Sequence, residues 1–143
     1  MSTDPTTDPR LGLSVTHRRY VPYAHAHYAG DLVDGAYVLG LFGDVATEVC
    51  IRTDGDEGLF ASYSDVQFRA PVRAGDVVEV EATVTRVGTR SRELALLARV
   101  VCRGAIAATG DTTADPSAAV VLDPPVVAVT AVGTVVVPVA TAT

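Results

Sequence analysis

Residues 35–51 read GAYVLGLFGDVATEVCI, and the fold turns on how they are read. Val38, Phe42, Val45 and Val49 recur at spacings of three and four, and Leu39, Leu41, Ala46 and Cys50 widen the same face. That periodicity predicts one helix of about four turns with a broad apolar side. Asp34 stands before it as an N-cap. Arg52 to Gly58, RTDGDEG, ends it in turn-forming residues. Beyond this point the period changes. Leu59 to Phe68 reads as a strand, and Arg73 to Asp76 as a turn. In Val77 to Val87, Val78, Val80, Ala82 and Val84 alternate with Glu79, Glu81, Thr83 and Thr85, the pattern of a half-buried strand. Gly88 to Ser91 is a tight turn, and Arg92 to Arg103 returns as the hairpin partner. Gly104 to Pro116 reads as a loop. Val120–Leu122 and Val126–Val137 supply one or two last strands around Asp123-Pro124-Pro125. Upstream, Leu13 to Val21 has strand character and Tyr23 to Asp34 is a loop. The class is therefore α+β: one long helix covered by a single curled antiparallel sheet. Residues 1–12 are expected to form a flexible tail and residues 13–143 one domain.

Composition narrows the function. The chain has 143 residues, 48% of them apolar, so a real core is available. No apolar run reaches the roughly 18 residues of a membrane span. The N-terminus, MSTDPTTDPR, has neither the basic nor the apolar region of a signal peptide, so a cytoplasmic protein is expected. The net charge is −6 with no basic cluster, which argues against nucleic acid. Cys50 and Cys102 sit in apolar runs and read as buried thiols. All eleven basic residues are arginines. Chemistry through a lysine Schiff base is thereby excluded. No Ala-Ser-Gly triplet is present to cyclise into an electrophile, and no cofactor is expected.

Several residues could carry chemistry. Tyr37, Gly40, Asp44, Thr47 and Glu48 form a polar stripe on the otherwise apolar helix. Such a stripe is a solvated face unless the helix is enclosed, in which case buried carboxylates need a reason. His25 and His27 are two apart in the preceding loop. With Asp31 they could make a metal site, but three scattered ligands without a second cluster are a poor one, and no metal is expected. Arg86, Arg90 and Arg92 flank the hairpin turn, where their planar forks suit phosphate groups or simply face solvent.

Three segments resemble the hot-dog acyl-CoA thioesterases. They are the loop and helix start, His27 to Ala36 (HYAGDLVDGA), the strand and turn Ser64 to Asp76 (SDVQFRAPVRAGD), and the hairpin Val84 to Ser91 (VTRVGTRS). A closer resemblance, carried by AHYAGDLVDGA, LFGDVATE, IRTDGDEGLF and VGTVVVP, is to the 3-aminobutyryl-CoA and β-alanyl-CoA ammonia-lyases, from about His25 onward. In the thioesterases a catalytic carboxylate commonly lies seven residues after the second glycine of a helix-opening pair. Placing Gly35-Ala36 on that pair puts Gly43 there, and a one-residue shift brings Phe42 or Asp44.

The resemblance implies a hot-dog fold and a reversible loss of ammonia from a 3-aminoacyl-CoA, CoA being part of the substrate. It also implies a site shared in a homodimer or a higher homo-oligomer such as a hexamer. The reaction must remove a weakly acidic proton next to the thioester. The free N–H groups at Gly35 and Ala36 would hold the thioester oxygen as charge develops on it. Glu48 would be the base and Asp44 would meet the ammonium, or the reverse, with desolvation raising the carboxylate pKa. His27 and Asp31 are further catalytic candidates. Tyr28, Tyr37, Arg86, Arg90 and Arg92 are candidates for substrate binding. The rivals are a thioesterase of the same fold, an enzyme adding water or another amine to an enoyl thioester, and a non-catalytic acyl-CoA binder.

Overall fold

A computed structural model describes residues 8–138. The elements run β1 (Ser14–Tyr20), β2 (Ala26–Tyr28), β3 (Leu32–Val33), α1 (Gly35–Asp54), β4 (Leu59–Phe68), β5 (Val77–Val87), β6 (Ser91–Gly104), α2 (Ala105–Thr109) and β7 (Ala119–Val136). Five strands form one antiparallel sheet in the order β1-β5-β6-β7-β4, and β2 and β3 make a small ribbon. This is the expected hot-dog arrangement, with α1 lying along the inner face of the sheet.

The periods read from the sequence explain the packing. The apolar stripe of α1 presents Val38, Phe42, Val45 and Val49, none more than 2% exposed. Opposite it lie the inward members of the alternating strands, among them Val80, Val84, Leu94, Val100, Val129 and Val135. Burying one such side chain stabilises the fold by about 1.5–3 kcal/mol. The helix runs three residues past Ile51, because Gly55 adopts a left-handed φ of 65° and its N–H closes on the Ile51 carbonyl. The predicted turn at Arg73–Asp76 depends on Gly75, at φ 87°, and on the Asp76 carboxylate, which accepts the Arg73 N–H at 2.8 Å.

One open alternative is settled and two expectations change. The last strand is continuous: Asp123, Pro124 and Pro125 sit in a bulge between the Val100–Val126 and Cys102–Val121 pairs, so the prolines need no ladder partner. The loop after β6 contains the short helix α2. Residues 8–12 are docked rather than free: the Gly12 N–H bonds the Val84 carbonyl, and Arg10 bridges Asp8 to Asp54. Residues 1–7 of the expected tail lie outside the described residues. No helix among the described residues is long and apolar enough to cross a membrane.

Candidate active site

The N-terminus of α1 opens onto a cleft of about 500 Å³. Asp34 has extended backbone, and its Oδ1 accepts the Tyr37 N–H at 3.0 Å. It is therefore the N-cap that the sequence predicts, an arrangement that contributes about 1 kcal/mol. The N–H groups of Gly35 and Ala36 have no carbonyl one turn earlier to meet, and they carry the positive end of the helix dipole. Phe68, at the end of β4, lies across this point. A Cβ on Gly35 would stand 2.6 Å from Phe68 Cε1, so only glycine permits the ring to approach. Gly35, Phe68 and Tyr28 line the cleft with Val38, Val72 and Val129. The valines are buried, while Phe68 and Tyr28 are 59% and 57% exposed. Backbone donors at one end of an apolar cleft are the means by which a protein stabilises an oxygen gaining negative charge.

The loop before the helix brings further groups to this end. His27 Nδ1 is 3.9 Å from the second Asp34 oxygen, and its ring stands edge-on to Tyr28. The His25 ring lies tilted against Tyr37 with centroids 4.5 Å apart, and partial burial raises the Tyr37 pKa. Asp31 has a φ of 61°, and its carbonyl accepts the Ala74 N–H, pinning the loop to the turn after β4. His25, His27 and Asp31 do not gather into a set of metal ligands among the described residues.

Asp44 and Glu48 lie elsewhere. At 1.5 Å per residue they stand roughly 14 and 20 Å along the helix axis from Gly35. Both sit on the side of α1 that faces β1. Asp44 is 3.6 Å from Arg19, and Glu48 accepts hydrogen bonds from Arg52 Nε at 2.8 Å and His17 Nε2 at 2.9 Å. In the single chain the stripe is a half-open face, since one sheet covers only one side of the helix. The expected rise in carboxylate pKa is accordingly reversed at Glu48: the Arg52 and His17 hydrogen bonds hold it below its usual value.

The hairpin arginines separate. Arg92, expected at a substrate phosphate, is 2% exposed, and its guanidinium is fully engaged by the Asp54 carboxylate and the carbonyls of Gly88 and Ser91. It is a structural ion pair, because the inward alternation of β6 turns it towards the end of the helix. Arg86 and Arg90 are exposed, but they stand with this hairpin at the C-terminal end of α1. Basic groups that the sequence reading missed are Arg69, on the cleft wall, and Arg73, which lines a second cleft and donates to the Gly30 carbonyl at 2.9 Å. Their signal was their place beside Phe68 and Pro71. Asp34 was legible only as a cap, and its place on the cleft lining follows from the fold.

Comparisons with known proteins agree with this architecture. A family model described as the thioesterase superfamily matches residues 32–96. A 3-aminobutyryl-CoA ammonia lyase of Acetoanaerobium sticklandii is 51% identical over 113 residues, covering 79% of this chain and 85% of the relative. The solved structure of β-alanyl-CoA:ammonia lyase from Clostridium propionicum matches with a TM-score of 0.80 at 33% identity, covering 89% of this chain and 86% of that one. A hexameric hot-dog thioesterase of Campylobacter jejuni matches with a TM-score of 0.65 at 16% identity, covering 84% and 79%, which is a likeness of fold alone.

Proposed function

The chain belongs to the family of the 3-aminobutyryl-CoA and β-alanyl-CoA ammonia-lyases, and from that membership we propose that it catalyses the reversible loss of ammonia from a 3-aminoacyl-CoA, giving the 2-enoyl-CoA. The observation that carries the chemistry is the cleft at the start of α1, where Gly35 and Ala36 offer unpaired N–H groups beside an apolar wall. A thioester oxygen held there gains charge as the neighbouring carbon loses its proton, and the helix dipole favours that charge. The proton goes to a carboxylate. The electron pair it leaves forms the new double bond, and the C–N pair departs with nitrogen as neutral ammonia, because the substrate amine enters as an ammonium. No proton need be supplied to the leaving group. A second carboxylate is needed only to hold the ammonium in place.

Glu48 is assigned the base and Asp44 the ammonium partner. Neither reaches the cleft of its own chain, so the assignment requires a homo-oligomer in which a second copy lays its helix alongside. The unpaired outer edge of β4, with Leu59 73% exposed, supports such pairing. Enclosure by that copy would desolvate Glu48 and so oppose the Arg52 and His17 hydrogen bonds that hold its pKa down, raising it towards the working range. His27 and Asp31 border the site, with Tyr28 and Tyr37 as substrate contacts, and Arg86 and Arg90 of the second copy meet the CoA phosphates. On this reading the enzyme works in the cytoplasm, without a cofactor or metal.

The test is to incubate the pure protein with crotonyl-CoA and ammonium, follow products by mass spectrometry, and assay free thiol. The amine adduct should form without release of CoA. Glu48→Gln should lower kcat by about 10²–10⁴-fold, the range of a lost general base, and Asp44→Asn should weaken addition of the amine. Release of free CoA would instead make the protein a thioesterase.

A further inference from the structure

Resting on the lyase reading above and on Glu48 as its base, we propose that His17 is a positioning residue for that base and makes its strength depend on pH. The inner side of β1 turns Val15, His17 and Arg19 towards α1. His17 Nε2 stands 2.9 Å from Glu48 Oε1, and Arg52 Nε donates to Oε2 at 2.8 Å. An ionised carboxylate only accepts, so Nε2 is the nitrogen that carries the proton. The two donors come from different places, β1 and the next turn of α1, and each takes one oxygen. A carboxylate has about four lone-pair sites, so each oxygen keeps one for an incoming proton. A glutamate loose in solvent would have to give up rotamer freedom at every turnover, whereas here that freedom is lost on folding.

The two donors differ in one respect. A guanidinium is charged at every working pH, whereas imidazole ordinarily changes charge between about pH 5 and 8. Neutral His17 orients Glu48 with a single N–H. Protonated His17 makes the same bond and adds a second full charge beside Arg52, which lowers the proton affinity of the carboxylate. The hydrogen bonds from Arg52 and His17 already hold Glu48 below its usual pKa. A weaker base takes the proton next to the thioester more slowly, so the rate falls as the pH falls. The other charged groups here are Arg19, paired with Asp44 of α1 at 3.6 Å, and Arg18, which turns to the outer face to meet Glu79. β5 sets Val80 opposite His17 and buries Val78, Val80 and Ala82 on the inner side. Among these side-chain types only imidazole ordinarily titrates in that range.

The experiment measures kcat and KM for loss of ammonia from 3-aminobutyryl-CoA across about pH 5 to 9, in the intact protein, His17→Ala and His17→Gln, with Tm as the check on folding. Near the alkaline end His17→Ala should lose about tenfold in kcat with little change in KM, the equivalent of one hydrogen bond to an ionised group. His17→Gln, whose amide N–H can stand in for Nε2–H, should recover most of that loss. The intact protein should show an acid limb in kcat between about pH 5 and 8. In both variants the limb should move down by about one pH unit or more, so that His17→Gln outruns the intact protein at the acid end. An acid limb that is absent from the intact protein, or that stays in place in both variants, overturns the inference and leaves the lyase standing. So does an unchanged kcat in His17→Ala. Full activity in Glu48→Gln overturns the base assignment and this inference with it. Absence of any turnover by the intact protein overturns the lyase reading itself.

Discussion

At its C-terminal end α1 is locked. Asp54 accepts two hydrogen bonds from Arg92, whose side chain is 3% exposed, and a third from Arg10, so helix, hairpin and N-terminal segment meet in one ion network. At its N-terminal end the same helix opens onto a cleft with exposed aromatic rings and unpaired backbone donors. One end holds the charges of the fold in pairs, and the other leaves donors free for a ligand. The difference teaches where to look for chemistry: polar groups already satisfied inside the protein have nothing left to offer a substrate.

That contrast can be broken at the locked end first. Asp54→Ala would leave the Arg92 guanidinium buried without its carboxylate, at a cost of about 3–5 kcal/mol. Denaturant unfolding should register that loss while kcat stays near its original value. A loss of under about 1 kcal/mol would mean that the lock is ornamental. At the open end the expected stability effects are smaller and the functional ones larger. Gly35→Val must push Phe68 aside, which overpacking puts at about 1–3 kcal/mol, and kcat/KM should fall with it because the wall of the cleft moves. Asp34→Ala removes the cap and should cost about 1 kcal/mol, read as a drop in Tm.

Acid supplies the smallest and most graded test. The Arg10 hydrogen bonds hold Asp8 at about 2. Burial pulls Asp54 up, but Arg92, Thr53 and Arg10 outweigh it and leave the pKa below the usual 3.8. Both groups are depressed in the folded state. Their contribution is therefore present above pH 3.8 and is lost as the pH falls through the folded values, towards pH 2. Asp54→Ala should flatten that acid limb of the stability curve, and an unchanged limb would remove Asp54 as its source.

Much of this was legible in particular residues. The spacing of Val38, Phe42, Val45 and Val49 predicted the helix, and the alternation from Val78 to Val84 predicted a central strand, because one buried face imposes its period on the chain. Asp34 was readable as a cap and Asp76 as part of a turn, since both act on backbone within three residues. Arg92 was misread. Its hairpin position looks exposed, and only the inward alternation of β6 and the distant Asp54 make it structural. Glu48 was readable as part of a polar stripe, but not its neighbours His17 and Arg52, which come from β1 and the next helical turn. Asp123-Pro124-Pro125 left open whether one strand or two ends the chain. Pairing on both sides of it, Val126 with Val100 and Val121 with Cys102, makes it a bulge.

By itself the sequence determined the fold class, the order of elements, the apolar faces and, through its motifs, the family, because these depend on local periodicity and on short runs of matching residues. Tertiary structure alone decided which charges meet which partners. It seats Arg92 on Asp54 and Arg52 and His17 on Glu48, lays Phe68 against Gly35, and leaves the cleft at the helix start open. Those outcomes depend on groups that lie 31 to 38 residues apart in the chain wherever two elements meet. Whether a polar group is paired or free is settled by the distance and solvent access that folding imposes.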